Sequence, residues 1–234
     1  MKMSIVIPCY NEKDNLPLLF ARLDECNFAS SDIQVVLVNN GSTDGSETVF
    51  EKHARGKNYI SIVTVPLNQG YGYGIMEGLK NCKTEFVGWT HADLQTDPSD
   101  IKTAVAMLAK HKWDSKIFIK GNRKGRPLFD QFFTVGMVAF ETLLLRTFLW
   151  DINAQPNVFH KSFLDSWSDP PHDFSLDLFA FFMARKSGLT IKRFPVSFPK
   201  RKHGISHWNT DFKSKWKFIK RTLHFSFELK KRMP

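Results

Sequence analysis

Cysteine is scarce in this sequence: Cys9, Cys26 and Cys82 lie far apart, and their number is odd. That argues against a disulfide framework or a cysteine-built zinc cluster and predicts buried free thiols in a reducing compartment. Long apolar runs are lacking too. The best candidate span, residues 128–150 (LFDQFFTVGMVAFETLLLRTFLW), carries Asp130, Glu141 and Arg146. No uncharged stretch therefore reaches the roughly 18 to 20 residues that crossing a bilayer takes, and no transmembrane helix is expected. The opening MKMSIVIPCYNE meets a proline and charges after only a few apolar residues, unlike a signal peptide. Internal repeats, low-complexity tracts and a clear linker are also missing.

Acidic residues are nearly absent from the tail. Residues 192–234 hold 13 Lys/Arg against 2 Asp/Glu, whereas residues 1–191 hold 20 against 21, so the whole net charge of +10 sits at the C-terminal end. Such a tail seeks nucleic acid, anionic lipid or substrate phosphate. What remains is an ordinary globular composition, 42% hydrophobic and 24% charged over 234 residues. That suffices for one substantial core, or one core with a small appendage.

The first hundred residues alternate strand and helix signals. MSIVIPCY, DIQVVLVNN, YISIVTVP and TEFVGWTHADLQ read as strands, separated by three helical stretches; in the first of these, Leu16, Leu19, Phe20 and Leu23 recur at helical spacing. Strands buried on both faces with helices between them predict a doubly wound, mostly parallel α/β sheet. Ligands bind beyond the carboxyl ends of such strands. Those ends are polar and turn-rich, PCYNE, VNNGSTDG, PLNQGYG and HADLQ. Gly70, Gly72 and Gly74 read as helix-entry and packing glycines rather than phosphate contacts. Later stretches predict a helix in 100–111, a strand and basic loop in 115–127, and a long helix over 128–150 whose Asp130, Thr134 and Glu141 form a narrow polar stripe. A helix within 171–189 and a strand over 190–198 follow.

Taken in order, the strand ends resemble the family 2 glycosyltransferases of the GT-A fold, and within them the dolichol- and polyprenyl-phosphate sugar transferases. Val6 to Glu12 matches V-I-P-x-Y-N-E, and Val38 to Gly45 corresponds to V-D-D-G-S-x-D-G. Asn68 to Gly72 matches N-x-G-x-G, and His91 to Pro98 corresponds to D-A-D-L-Q-x-x-P. Gly121-Asn122-Arg123 and Arg201 to Ser206 correspond to G-S-R and R-x-x-G-x-S. The resemblance implies a GT-A domain over residues 1–211, followed by a basic amphipathic helix over 212–234. It implies a nucleotide-sugar site at Pro8, Tyr10, Glu12, Val38, Asn40, His91, Ala92, Asp93, Arg123 and Arg201. A divalent metal, Mn²⁺ or Mg²⁺, would be held by Asp93, Gln95 and His91, and an acceptor phosphate by Arg201 and His207. Asp93, Arg123 and Asp151 are the expected catalytic residues.

The sequence departs from the pattern at three acidic positions: Asn39 and Asn40 stand for the V-D-D aspartates, and His91 for the first aspartate of D-A-D. An amide still hydrogen-bonds, and an imidazole suits Mn²⁺ better than Mg²⁺. The implied reaction is inverting transfer of a hexose to a polyprenyl phosphate, by a peripheral protein on the cytoplasmic face of a membrane. Two alternatives stand beside it. A hydroxyl-acceptor transferase of surface polysaccharide synthesis would need a carboxylate base, with Asp151 first and Asp173 and Asp177 behind it. A catalytically silent nucleotide-binding homologue would fit the lost acids. In the tail, Phe212, Trp216, Ile219, Leu223 and Phe227 share one helical face flanked by Lys213, Lys217, Lys220 and Arg221. That pattern fits an interfacial membrane helix and equally a core helix with a solvated basic side. Nucleic acid fits less well, because the aromatics are not interleaved with the bases. A homo-oligomer or a membrane subunit stays open as a partner.

Overall fold

The computed structural model describes residues 2–125, 128–199 and 212–232. Among the described residues seven strands form one sheet: β1 (Met3–Cys9), β2 (Ile33–Asn40), β3 (Ile60–Val65), β4 (Phe86–Trp89), β5 (Ile117–Lys124), β6 (Asn157–His160) and β7 (Thr190–Ser197). Their spatial order is β3-β2-β1-β4-β6-β5-β7. Every neighbouring pair is parallel except the two that involve β6. The sheet is thus doubly wound and mostly parallel, as the sequence implied, with one antiparallel strand inserted at its middle.

Period-two alternation explains why both faces of the central strands are covered. Ile5, Ile7, Val35 and Leu37 point to one side, where they pack with Leu16, Leu19, Phe20 and Leu23 of α1 (Leu16–Glu25) and with Ile101, Ala104 and Leu108 of α4 (Asp100–Lys110). Val6, Val36 and Val38 point to the other, under Ile75 and Leu79 of α3 (Tyr71–Lys80) and the phenylalanines of α7 (Leu176–Lys186). All four periodic residues of α1 are buried, each such side chain stabilising the fold by about 1.5–3 kcal/mol. The three cysteines are buried and free. A second helix of the N-terminal half is α2 (Ser46–Ala54).

Two elements differ from expectation. Strand β6, with helix α6 (Lys161–Asp165) after it, was not foreseen; its four residues contain only Val158 and Phe159 as apolar signal. Helix α5 (Leu128–Leu145) stops short of residue 150. Glu141 is fully buried, its Oε1 accepting from Ser226 Oγ of α8 (Phe212–Arg232) at 2.7 Å, while Val135 and Leu143 are exposed. Glu141 of that stripe thus meets a partner helix, not water. Burial pushes the Glu141 carboxyl up to about 7. Among the described residues no helix is long and apolar enough to cross a membrane.

Candidate active site

The carboxyl ends of β1, β2, β4 and β5 lie at one edge, and with them Pro8, Tyr10, Glu12, Asn40, His91, Ala92, Asp93 and Arg123. The first two loops are stitched together: Ser42 Oγ accepts from the Asn11 amide, Asn11 Oδ1 from the Thr43 amide, and Asp44 Oδ2 from the Lys13 amide. Glu12 accepts from Asn15 Nδ2 at 2.6 Å, and Tyr10 is exposed on the rim. Val38 does not face the edge. Its side chain is wholly buried beneath α3, so only its backbone could meet a ligand.

Asn40 is 2% exposed and donates through Nδ2 to the Gly70 carbonyl at 3.0 Å; its Oδ1 is buried without a hydrogen-bond partner. Gly70, with φ of +118°, turns the chain into α3. Gly72 abuts the backbone of residues 171–173, which dock on the helix start through a bond from the Tyr73 amide to the His172 carbonyl of 2.9 Å. These are packing glycines, as the sequence indicated.

The loop after β4 is closed at its base by the hydroxyls of Thr90 and Thr96, 2.9 Å apart. Inside it Asp93 Oδ1 accepts from the Gln95 amide at 3.1 Å, an Asx turn with Leu94 left-handed at φ +57°. Gln95 Nε2 donates to the Pro199 carbonyl, joining this loop to the end of β7. The His91 ring stacks on Tyr71, centroids 5.6 Å apart and planes at 26°. Among the described residues no three His, Cys, Asp or Glu side chains gather to form an all-protein metal cluster.

Arg123 and Asp151, expected in separate roles, are partners. The Arg123 amide donates to Asp151 Oδ2 and its Nε to Oδ1, each at 2.9 Å. Burial pushes the Asp151 carboxyl up, but the Arg123 charge and its hydrogen bonds outweigh that and hold it below the usual range. The Arg123 guanidinium also lies over the Phe198 ring at 5.1 Å. The other two carboxylates considered as bases are engaged as well. Asp173 pairs with Arg221 at 3.0 Å and accepts from the Ser175 amide at 2.8 Å. Asp177, 3% exposed, accepts through Oδ1 from Trp89 Nε1, Gln155 Nε2 and Asn157 Nδ2 at 3.0, 2.6 and 2.9 Å.

That last network was not anticipated. It includes Lys120, fully buried, whose Nζ donates to Asn157 Oδ1 at 2.7 Å and to the Ala154 carbonyl at 2.9 Å. Burial lowers the Lys120 ammonium to about 7 against the opposing pull of Asp177. A lysine inside the apolar run IFIKGN was the available signal. Arg201 and His207 lie outside the described residues.

The residues 4–159 match the model of glycosyl transferase family 2. This chain belongs to that family. The match covers the four strand-end loops and β6. Among curated relatives, an undecaprenyl-phosphate 4-deoxy-4-formamido-L-arabinose transferase of Pseudomonas fluorescens is 39% identical over 129 residues, 54% of this chain and 37% of that protein. The like-named protein of Proteus mirabilis is 34% identical over 108 residues, 45% and 33%. The aligned stretch thus spans little more than a third of these relatives. Glucosyl-3-phosphoglycerate synthase of Mycobacterium tuberculosis, solved with Mn²⁺ and UDP, superposes with a TM-score of 0.72 at 14% identity, covering 100% of this chain and 81% of that one. The mannosyltransferase PcManGT of Pyrobaculum calidifontis, solved with GDP-Man and Mn²⁺, gives 0.63 at 19% identity, covering 87% and 58%. These likenesses establish the GT-A fold.

Proposed function

We propose that this chain transfers a hexose, with inversion, from a nucleotide-sugar to a polyprenyl phosphate on the cytoplasmic face of a membrane. The observation that favours a phosphate acceptor is the state of the carboxylates. A hydroxyl acceptor needs a base with a free lone pair at the edge, yet Asp151, Asp173 and Asp177 are each committed to cationic or amide partners. A phosphate is already anionic at neutral pH and needs no such base. The names of the curated relatives point to the same acceptor, a polyprenyl phosphate, while the sugar they print is a substituted pentose, L-arabinose.

The donor would lie over the ends of β1, β2 and β4, its diphosphate toward the 90–97 loop. Asp93, Gln95 and His91 fit a hard divalent ion that takes most of its oxygens from the diphosphate, since such ions need only one or two protein carboxylates. Stacking occupies the face of the His91 ring and leaves the in-plane nitrogens available. When bound, the ion would neutralise charge on the leaving group. Arg123, held by Asp151, would add a fixed positive charge there. The exposed basic side of α8 would meet anionic lipid.

The test is transfer from a panel of UDP-, GDP- and dTDP-sugars, with Mn²⁺, to undecaprenyl phosphate or to oligosaccharide acceptors. Label should pass to the lipid, and Asp93→Ala should lower kcat/KM at least 100-fold, the scale of removing one electrostatic stabiliser. Transfer to hydroxyls alone overturns the acceptor assignment. Nucleotide binding without any turnover favours the silent homologue, and no binding at millimolar concentration removes the transferase reading.

A further inference from the structure

The histidine at position 91 is the end of a ladder of rings. Tyr71, the first residue of α3, stacks with both His91 at 5.6 Å and Phe174 at 4.6 Å, with planes at 26° and 13°. The Arg221 guanidinium of α8 lies 5.6 Å from the Phe174 ring and pairs with the adjacent Asp173. Four side chains from four separate segments thus form one row from the loop after β4 to the C-terminal helix. Its middle is fixed from behind. Gln155 Nε2 lies 3.4 Å from the Tyr71 hydroxyl and also donates to Asp177, and Gly72 lets the 171–173 backbone close on α3. Offset or parallel rings attract through their faces and resist tilting, and a guanidinium over a ring adds an electrostatic contact. A carboxylate at position 91 could make no such stack.

We propose that Tyr71 and Phe174 are positioning residues: they set the plane of the His91 ring, and through Arg221 they couple the donor loop to helix α8. The inference rests on the reading of the 90–97 loop as the diphosphate site, but the ladder itself is testable without it. Because the plane of the ring fixes where its nitrogens point, a ring free to rotate presents them to the ion only part of the time. The ladder also gives the basic helix a path to the loop: whatever moves Arg221 moves the outer ring first. The row ends beside a cleft of about 350 Å³ lined by His172, Asp173, Arg221, His224, Glu228 and Arg232 among others, so the coupling emerges at the surface of α8.

The experiment uses the full chain with isotope-labelled histidine. The His91 ring proton resonance, identified by its loss in His91→Gln, should lie upfield because it sits over the Tyr71 ring. Tyr71→Leu should return it toward the position of an unstacked histidine, whereas Tyr71→Phe should keep it. Phe174→Leu and Arg221→Met should each move it by a smaller amount. With UDP and GDP as probes in the presence of Mn²⁺, Tyr71→Leu should weaken binding about tenfold and Tyr71→Phe should restore it, with turnover of bound donor changed less than KM. An unmoved His91 resonance in a folded Tyr71→Leu protein overturns the stack. A resonance that responds to Tyr71→Leu but not to Phe174→Leu or Arg221→Met overturns the coupling to α8. If the resonances behave as stated while neither nucleotide binds, the ladder stands and the donor-site reading fails.

Discussion

Replacing Asp151 separates two roles that carry opposite signatures. Its side chain is 3% exposed and that of Arg123 11%, so removing the carboxylate leaves a guanidinium buried without its counter-charge. Breaking a buried pair from one side costs about 3–5 kcal/mol. With a urea slope of about 2–3 kcal/mol/M for a chain of this size, Asp151→Ala should lower the unfolding midpoint by roughly 1–2.5 M. The double variant Arg123→Met, Asp151→Leu should recover the part of this loss that comes from the stranded charge, because apolar replacement of both members removes the desolvation penalty together with the attraction, and should stay about 1–3 kcal/mol below the parent because the backbone amide of position 123 loses its acceptor. The pH dependence has a definite sign. The folded carboxyl is held below its unfolded value of about 3.9, so the stabilisation is complete above that pH and is lost as pH falls through the lower, folded value. Asp151→Asn should lack this acid-sensitive component. Far-UV circular dichroism in urea measures all of these. If Asp151 were instead the base for a hydroxyl acceptor, Asp151→Asn would abolish turnover and leave the midpoint nearly unchanged; that result would refute both the pairing argument and the acceptor drawn from it.

Three further outcomes follow from the same geometry. Lys120 sits near 7 in the folded chain against about 10.4 unfolded, so the unfolded state binds more protons between those values and stability should rise from pH 7 to pH 10; the rise should vanish in Lys120→Met. Gly72→Ala pushes a methyl into the 171–173 backbone and should destabilise by about 1–3 kcal/mol, with a thermal unfolding shift of no more than 1 °C counting against that packing. Neutralising the exposed Lys220, Lys230 and Lys231 to Gln should weaken attachment to anionic vesicles by about 1 kcal/mol per residue, and raised salt should weaken the parent similarly; vesicle binding that ignores both changes would remove the electrostatic account.

The sheet was legible because its signals are local. An apolar strand buried on both faces, or the Leu16, Leu19, Phe20, Leu23 spacing, depends only on neighbours in sequence. What failed depended on distant partners. The two apolar residues of β6 do not announce a strand; it is held by the sheet on both sides and by Asn157 reaching Asp177 and Lys120. The stripe on α5 is visible in the sequence but the partner of Glu141 is not, since Ser226 lies 85 residues on and no periodicity reveals that a serine will meet it. The same division runs through the site. Ordered motifs singled out Asp93, Arg123 and Asn40 as candidates, while the contact of Arg123 with Asp151 and the ring stacked on His91 required the fold.

Two of the three departures from acidic residues make contacts that a carboxylate is chemically unable to make. Asn39 is the exception, since its Oδ1 accepts from the Ser42 amide as an aspartate could. Asn40 donates to the Gly70 carbonyl, and an ionised carboxylate has no proton to donate. His91 presents a ring face to Tyr71. These residues are therefore built into this edge, and restoring the family pattern should harm it. Asn40→Asp would set two acceptors against each other at a position 2% exposed, losing a hydrogen bond and burying an unpaired charge. At least 1–3 kcal/mol should be lost on the scale of an unsatisfied buried group, about twice that if the charge stays. Protonation offers the escape, so the folded carboxyl should titrate above its unfolded value. Stability of the variant should then be greatest below pH 4 relative to the parent and fall as pH rises toward neutrality. A variant as stable as the parent at pH 5 and pH 8 alike would show that Asn40 turns freely to solvent, and that its bond to Gly70 contributes nothing to the start of α3.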